Sequence, residues 1–370
     1  MKITCSQSEL AKGVNIVSKA VPTRTTMAIL ECILIDATTD QIKLTANDME
    51  IGIETTIEGV IEEKGIIALD AKFFGETIRK CPSSNVTIES DEKYQTKITC
   101  ESLEVNITGK PGEDFSNIPV IPRNEPVIIS QFTLRELVRQ TSFTISEANA
   151  NNKMMTGELV EITGDNLKVV ALDTSRISIR NIKLKESYSD KKVIVPGKTL
   201  NEISKIISGG TEDMVEIFFT DNHIIFEFDK TTVVSRLIDG DFFKIDHMFS
   251  SDYETKVKVN KKSLLDGIDR STLMLFKDAE KKPFVMDIKD NQMELRMNST
   301  YGKMKEEVSI EKDGKDLTIG FNPKFFIEAL RVIDEEDVNL YMVNHRSPCF
   351  IKDEEESFIY VILPVNLQEA

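Results

Sequence analysis

The sequence predicts an α+β protein built from three copies of one strand-rich domain, each copy with two helices. Three observations carry that prediction. One short stretch occurs three times, at residues 70–81 (DAKFFGETIRKC), 196–207 (PGKTLNEISKII) and 322–333 (NPKFFIEALRVI). Lys72, Lys198 and Lys324 are spaced by 126 residues and by 126 again, as are Glu76, Glu202 and Glu328, and Arg79, Lys205 and Arg331. Each copy has helical periodicity and follows a short apolar run of strand type, at 67–69, 193–195 and 319–321. Between the copies, alternating runs of strand length separated by turn residues fill most of the chain. A repeat this long is a whole domain rather than a solenoid unit, and about 125 residues can bury their own core. The expected domains are 1–126, 127–255 and 256–370.

Taken in order, the first domain opens with a strand at 1–5 and a helix at about 8–20. Ser8 is the candidate N-cap, and Leu10, Val14 and Val17 form the inward stripe. Strands follow at 31–36, 41–46 and 51–57, then the first repeat helix, then strands at 86–89, 96–100 and 103–107. Pro119, Pro122 and Pro126 mark 113–126 as a linker. The second domain repeats the order: strand 127–130, a helix near 133–142 carrying Arg135 and Arg139, strands at 157–163, 167–171 and 177–184, the second repeat helix, and strands at 214–219 and 223–228. Thr220-Asp221-Asn222 supplies the turn between the last two. The third begins with strand 256–259 and a helix near 263–275, and closes with strands, the third repeat helix and further strands.

In the repeat helix the apolar positions are Phe74, Thr77, Ile78 and Cys81; Leu200, Ile203, Ser204 and Ile207; and Phe326, Ala329, Leu330 and Ile333. That is the i, i+3, i+4, i+7 stripe of a helix lying on a core. Asp70 and Asn322 suit an N-cap, and Pro196 suits a first turn. The charged triplets, two bases and one acid each, fall on the opposite face. One such helix alone is an ordinary solvated surface with weak ion pairs. Three in register, in a chain whose net charge is −16, place basic stripes inside an acidic shell.

Enzyme signals are poor. His223, His247 and His345 are too dispersed for a metal pair or a triad. Gly197-Lys198-Thr199 resembles the end of a phosphate loop, but the position five before Gly197 holds Lys192 instead of glycine. The acidic runs 334–337 and 354–356 read as solvated turns. No catalytic residue, metal or cofactor is expected. Five cysteines, odd in number and without metal-like spacing, suit free thiols in a reducing cytosol. The start of the chain has no apolar signal region and no run approaches the length of a membrane span, so a cytoplasmic location is expected.

The domain order, together with Arg24 in TRTTMAIL, Asp48 in LTANDMEIGIE, Asp173 and Arg176 in VVALDTSRISI and the ending YVILPVNL (360–367), resembles the bacterial sliding clamps, the beta subunits of DNA polymerase III. The resemblance covers the whole chain. It implies a head-to-tail homodimeric ring of six domains, helices inside and sheets outside, that encircles double-stranded DNA without reading its sequence and confers processivity. It implies peptide-bearing partners: the DNA polymerase III catalytic subunit, the clamp loader and repair proteins. To the DNA-facing bases Lys72, Arg79, Lys198, Lys205, Lys324 and Arg331 it adds Arg24, and Asn149 and Lys153 in the loop 147–153. For a partner-peptide cleft it selects Met155, Leu172, Thr174, Ser175, Arg176, Ile177, Phe243, Met248, Val361, Leu363, Pro364, Val365, Asn366 and Leu367, with Ser175 and Phe243 departing from common family choices. Read without the resemblance, the tail from Val361 is first of all a last core strand, although Pro364 confines it to an edge or a strand end. For the dimer seam it selects Val105 and Ile107 on an edge strand and Leu273 and Met274 on the third domain's helix. The alternative reading is an acidic three-domain scaffold that binds peptides without encircling DNA.

Overall fold

The structure, a computed structural model, describes residues 1–146, 152–245, 253–275, 282–300 and 302–367. Six α-helices occur among them, two in each predicted repeat: α1 (Gln7–Val17), α2 (Ala71–Lys80), α3 (Gln131–Thr141), α4 (Gly197–Ile206), α5 (Lys261–Ser271) and α6 (Pro323–Val332). The N-cap of α1 is Ser6, whose hydroxyl accepts the amide of Glu9 at 3.2 Å, and not Ser8. The strand Lys2–Ser6 runs directly into the helix, so its last residue is the one left with extended dihedrals and a free side chain. Asp70 and Asn322 cap α2 and α6 as the sequence predicts, and Pro323 occupies the first turn of α6. Pro196 instead ends the strand Arg176–Pro196, opposite Gly157.

The chain divides into two compact units that cut through the middle repeat. The first comprises residues 1–135 and 198–237. It holds a five-stranded sheet in the order Val60–Glu63, Lys2–Ser6, Asn85–Ser90, Gln95–Cys100, Leu103–Thr108, and a nine-stranded sheet. At the middle of the larger sheet Ile51–Ile57 pairs with Thr231–Arg236, so strands from two repeats make one continuous sheet. The second unit comprises residues 136–197 and 238–370 and holds a ten-stranded sheet. There Arg176–Pro196 pairs with Phe358–Ile362, again joining two repeats.

The buried stripes of the repeat helices are those read from periodicity. Phe74, Ile78, Ile203, Phe326, Ala329 and Leu330 are almost fully inaccessible, while Thr77 and Ser204 are half-buried. The strands Val60–Glu63, Lys110–Pro111 and Thr231–Arg236 were not among those predicted, and the two strands expected at 157–163 and 167–171 are one element, Gly157–Leu172, with a register shift at Gly164. Gly164 has φ +60°, a conformation that suits glycine. The helix expected at about 263–275 ends at Ser271 and continues as a 3-10 turn, Thr272–Leu275, which carries Leu273 and Met274. All five cysteines are free and buried. Burial pushes the Cys5 thiol up to about 12, which makes it a poor nucleophile.

Candidate functional site: basic helix stripes and an apolar cleft

The six stripe bases are exposed on α2, α4 and α6. In α2, Arg79 bonds Glu76 at 2.6 Å, and in α4 Lys205 bonds Glu202 at 2.8 Å. Lys198 pairs with Asp48, whose other oxygen holds the turn 48–51 through the amides of Glu50 and Ile51. In α6, Lys324 lies 3.9 Å from Glu328, while Arg331 approaches Asp269 of α5 at 3.5 Å. The bases are well exposed in each pair, although the Asp48 side chain itself is largely buried, so they remain available to an external anion. Gly197-Lys198-Thr199 opens a helix, and Thr199 hydrogen-bonds the buried Ser235 hydroxyl at 2.6 Å, which makes it a packing residue. Arg24 is exposed in a bend and Lys153 is exposed on a 3-10 turn. Asn149 and Met248, both predicted site residues, and His247 lie outside the described residues. The acidic runs form ion pairs with the protein itself, Asp334 with Arg139 at 2.8 Å and Glu356 with Lys352. Among the described residues no group of histidine, cysteine, aspartate and glutamate has metal-binding geometry.

The second unit brings most of the predicted cleft residues together. Leu172, Ile177 and Val361 are buried in one apolar cluster with Leu159, Val170, Ile179, Ile238, Phe242 and Ile245. Met155 and Phe243 pack on it half-buried, and Phe242 and Phe243 meet edge to face at 5.7 Å. Beyond Ile362 the tail stays extended: the amide of Leu363 donates to Ser175 O at 2.9 Å, and that of Val365 to Gly320 O at 2.8 Å. Leu363 and Leu367 remain more than a third exposed, Asn366 is exposed, and Pro364 and Val365 are half-buried. The result is an apolar floor with a partly open rim, able to seat hydrophobic side chains of an extended segment. Sequence reasoning missed Met154, Phe242, Ile245 and Phe350, which also border this cluster. Phe350 joins it because it opposes Val361 across two paired strands, a long-range pairing with no local signal.

Arg176 is only 7% exposed, and each of its three guanidinium nitrogens is engaged. Nε donates to Asp173 at 2.9 Å, one terminal nitrogen to Glu328 of α6 and the other to Phe143 O at 2.7 Å. Its face lies 4.5 Å from the centre of the Phe325 ring. Thr174 is exposed at the apex of the 173–176 loop, and Ser175 is half-buried.

Two strand edges matter besides. Leu103–Thr108 ends the five-stranded sheet, with Val105 and Ile107 half-buried on one side. In the second unit Gly302–Gly314 pairs with Gln292–Ser299 through residues 302–309, and no other strand among the described residues covers that part. The turn Thr272–Leu275 packs beside these two strands; Leu273 is 67% exposed there, whereas Met274 packs against the third repeat's core.

Three repeated α+β units, basic stripes on equivalent helices and an apolar cluster with a partly open rim define a protein of the clamp class. Family models of the DNA polymerase III beta subunit match the whole course of the chain: its N-terminal domain at residues 1–119, its central domain at 128–244 and its C-terminal domain at 247–366. Beta sliding clamps of Staphylococcus epidermidis and Staphylococcus aureus are 31% and 30% identical, over 99% of this chain and 99% of theirs. A crystal structure from Eubacterium rectale assigned to the DNA polymerase III beta subunit is 64% identical with a TM-score of 0.97, covering 99% of this chain and 100% of that one. The DNA polymerase sliding clamp of Bacillus subtilis is 30% identical with a TM-score of 0.95, covering 99% of each chain. The chain belongs to the DNA polymerase III beta subunit family, the bacterial sliding clamps.

Proposed function

We propose that two copies of this chain close head to tail around duplex DNA and tether the DNA polymerase III catalytic subunit, the clamp loader and repair proteins through peptides seated in the cleft. Each copy contributes three domains, 1–126, 127–255 and 256–370, with the bases of α2, α4 and α6, Arg24, Asn149 and Lys153 as the groups that meet the phosphates. Phosphate contacts of this kind position a protein without reading bases. The work is topological, in the cytoplasm, with no catalytic residue or cofactor.

One observation carries the reading. At both internal junctions the last strand of one repeat pairs antiparallel with an inner strand of its neighbour: Thr231 opposes Thr55 and Val233 opposes Ile53, while Phe358 opposes Arg180 and Tyr360 opposes Ser178. The same two strand types, Leu103–Thr108 and the 302–309 part of Gly302–Gly314, are left without that neighbour. Leu103 opens its strand as Thr231 and Phe358 open theirs, and Glu306 lies 126 residues after Arg180. Transferring the register opposes Leu103 to Glu306 of the second copy, Glu104 to Lys305, Val105 to Met304 and Ile107 to Gly302. Val105 then meets Met304 on one face and Glu104 meets Lys305 on the other. An open edge is a liability until it is paired or covered, and this pairing covers both.

The test is retention on DNA of defined topology. A groove binder that neutralises about six phosphates loses several orders of magnitude of affinity between low and moderately high salt. A closed ring on a nicked circle must open to leave. Labelled protein loaded on a nicked circle is therefore expected to co-elute with DNA on a sizing column after a salt wash, and to be released when the circle is cut. Equal retention on circle and line, with steep salt loss on both, refutes the ring and favours the scaffold.

A further inference from the structure

We infer that Glu328, the repeat glutamate of α6, is a positioning residue for the peptide cleft, acting through Arg176. The inference rests on the cleft reading above and deepens it. The three copies of the repeat helix differ in the partners of their glutamate. In α2 and α4 the glutamate takes the base three residues on, Arg79 or Lys205. In α6 the corresponding base, Arg331, turns to Asp269, and Glu328 receives Arg176 instead. The acid of the third stripe is thus shared between Lys324 of its own helix and the cleft loop.

The loop is built around that contact. Asp173 Oδ1 accepts the amides of Ser175 at 2.8 Å and Arg176 at 3.0 Å, and its Oδ2 accepts Arg176 Nε at 2.9 Å. Ser175 O in turn accepts the amide of Leu363, the first residue of the cleft's tail rim. A chain of contacts therefore runs from Glu328 through Arg176 and Asp173 to Leu363. Arg176 is buried between Phe325 and the carbonyl of Phe143, and each of its three nitrogens already has an acceptor within the protein. Its role is to hold the loop and the rim in register. Removing the Glu328 carboxylate leaves the buried guanidinium with Asp173 as its remaining carboxylate partner, and the loop must move to make good the lost contact. A lysine cannot replace the arginine, because a single ammonium cannot reach three acceptors in a planar fork.

The test measures the Kd of a fluorescein-labelled peptide from the DNA polymerase III catalytic subunit by anisotropy, on the full chain, beside the thermal midpoint. Four variants are compared: Glu328→Gln, Arg176→Lys, the double variant, and Glu202→Gln at the same repeat position of α4. Leu172→Asp, on the cleft floor, reports on the cleft itself. Glu328→Gln is expected to weaken the peptide by about tenfold, the scale of one lost charge-assisted hydrogen bond. Glu202→Gln leaves binding unchanged. The double variant is no weaker than the worse single one, because both act on one contact. Unchanged Kd in Glu328→Gln overturns the inference, whether or not the thermal midpoint falls, provided Leu172→Asp abolishes binding. Losses that multiply in the double variant overturn it too, since the residues then act separately. If Leu172→Asp binds as well as wild type, the cleft reading fails and the inference falls with it.

Discussion

Leu273 offers the cleanest way to open the proposed ring without unfolding the chain. It is 67% exposed beside the free strand edge, so a polar replacement costs the single chain little. Fully burying a leucine contributes about 1.5–3 kcal/mol. Covering the exposed two-thirds at a seam then contributes about 1–2 kcal/mol. A ring has two seams, so the dimer loses about 2–4 kcal/mol, equivalent to roughly 30- to 1000-fold in its dissociation constant. Leu273→Lys loses more, because an ammonium would have to be desolvated at the seam. Met274 is unsuitable for the purpose: it packs on the third repeat's core, and a charge there attacks the fold. Sedimentation velocity across a dilution series is expected to find wild type dimeric and Leu273→Lys monomeric at the same concentration, with matching far-UV circular dichroism. A variant with the wild-type dissociation constant, or a wild type that is monomeric at micromolar concentration, refutes the seam.

Three further outcomes are expected. The pair Val105→Cys and Met304→Cys in one chain should give a covalent dimer on non-reducing gels, since opposed Cα atoms about 4.5–5.5 Å apart suit a disulfide; stronger cross-linking with Lys303→Cys or Lys305→Cys in place of Met304→Cys refutes the register. Changing the six stripe bases to alanine should slow loading onto DNA through lost steering yet barely shorten retention on a nicked circle, with fast loss from the circle counting against a topological hold. The third concerns Glu158, which is fully buried; burial raises its carboxyl to about 8, and Thr141 Oγ1 contacts both Leu137 O at 2.7 Å and Glu158 Oε2 at 2.6 Å. One hydroxyl proton cannot serve both acceptors, so Glu158 is the protonated donor in the folded chain. Its folded value is raised, so its contribution is fully present below the unfolded value near 4.5 and is lost as pH rises towards 8, by at most about 1.4 kcal/mol per pH unit. Glu158→Gln should therefore gain stability relative to wild type from pH 5 to pH 8 in urea unfolding, whereas parallel pH curves for the two proteins rule this out.

Local signals in the sequence determined the three repeats, the two helices in each, the buried stripe from Phe74 to Ile333 and the exposed bases opposite it. Those features follow from the 3.6-residue period, and each helix can be read within its own dozen residues. The resemblance carried by the short motifs added the family and the positions of the proposed cleft. Tertiary structure decided what joins distant segments. The strand Thr231–Arg236, absent from the sequence reading, makes the first internal junction by pairing with Ile51–Ile57. Phe350 borders the proposed cleft through Val361, and Glu328 reaches Arg176 across 152 residues of chain as well as Lys324 on its own helix. Even the cap of α1 shifted from Ser8 to Ser6, because the preceding strand runs straight into the helix. Pairing between strands and the direction of a single long side chain depend on which surfaces meet, and a periodicity within one segment does not encode its partner in another.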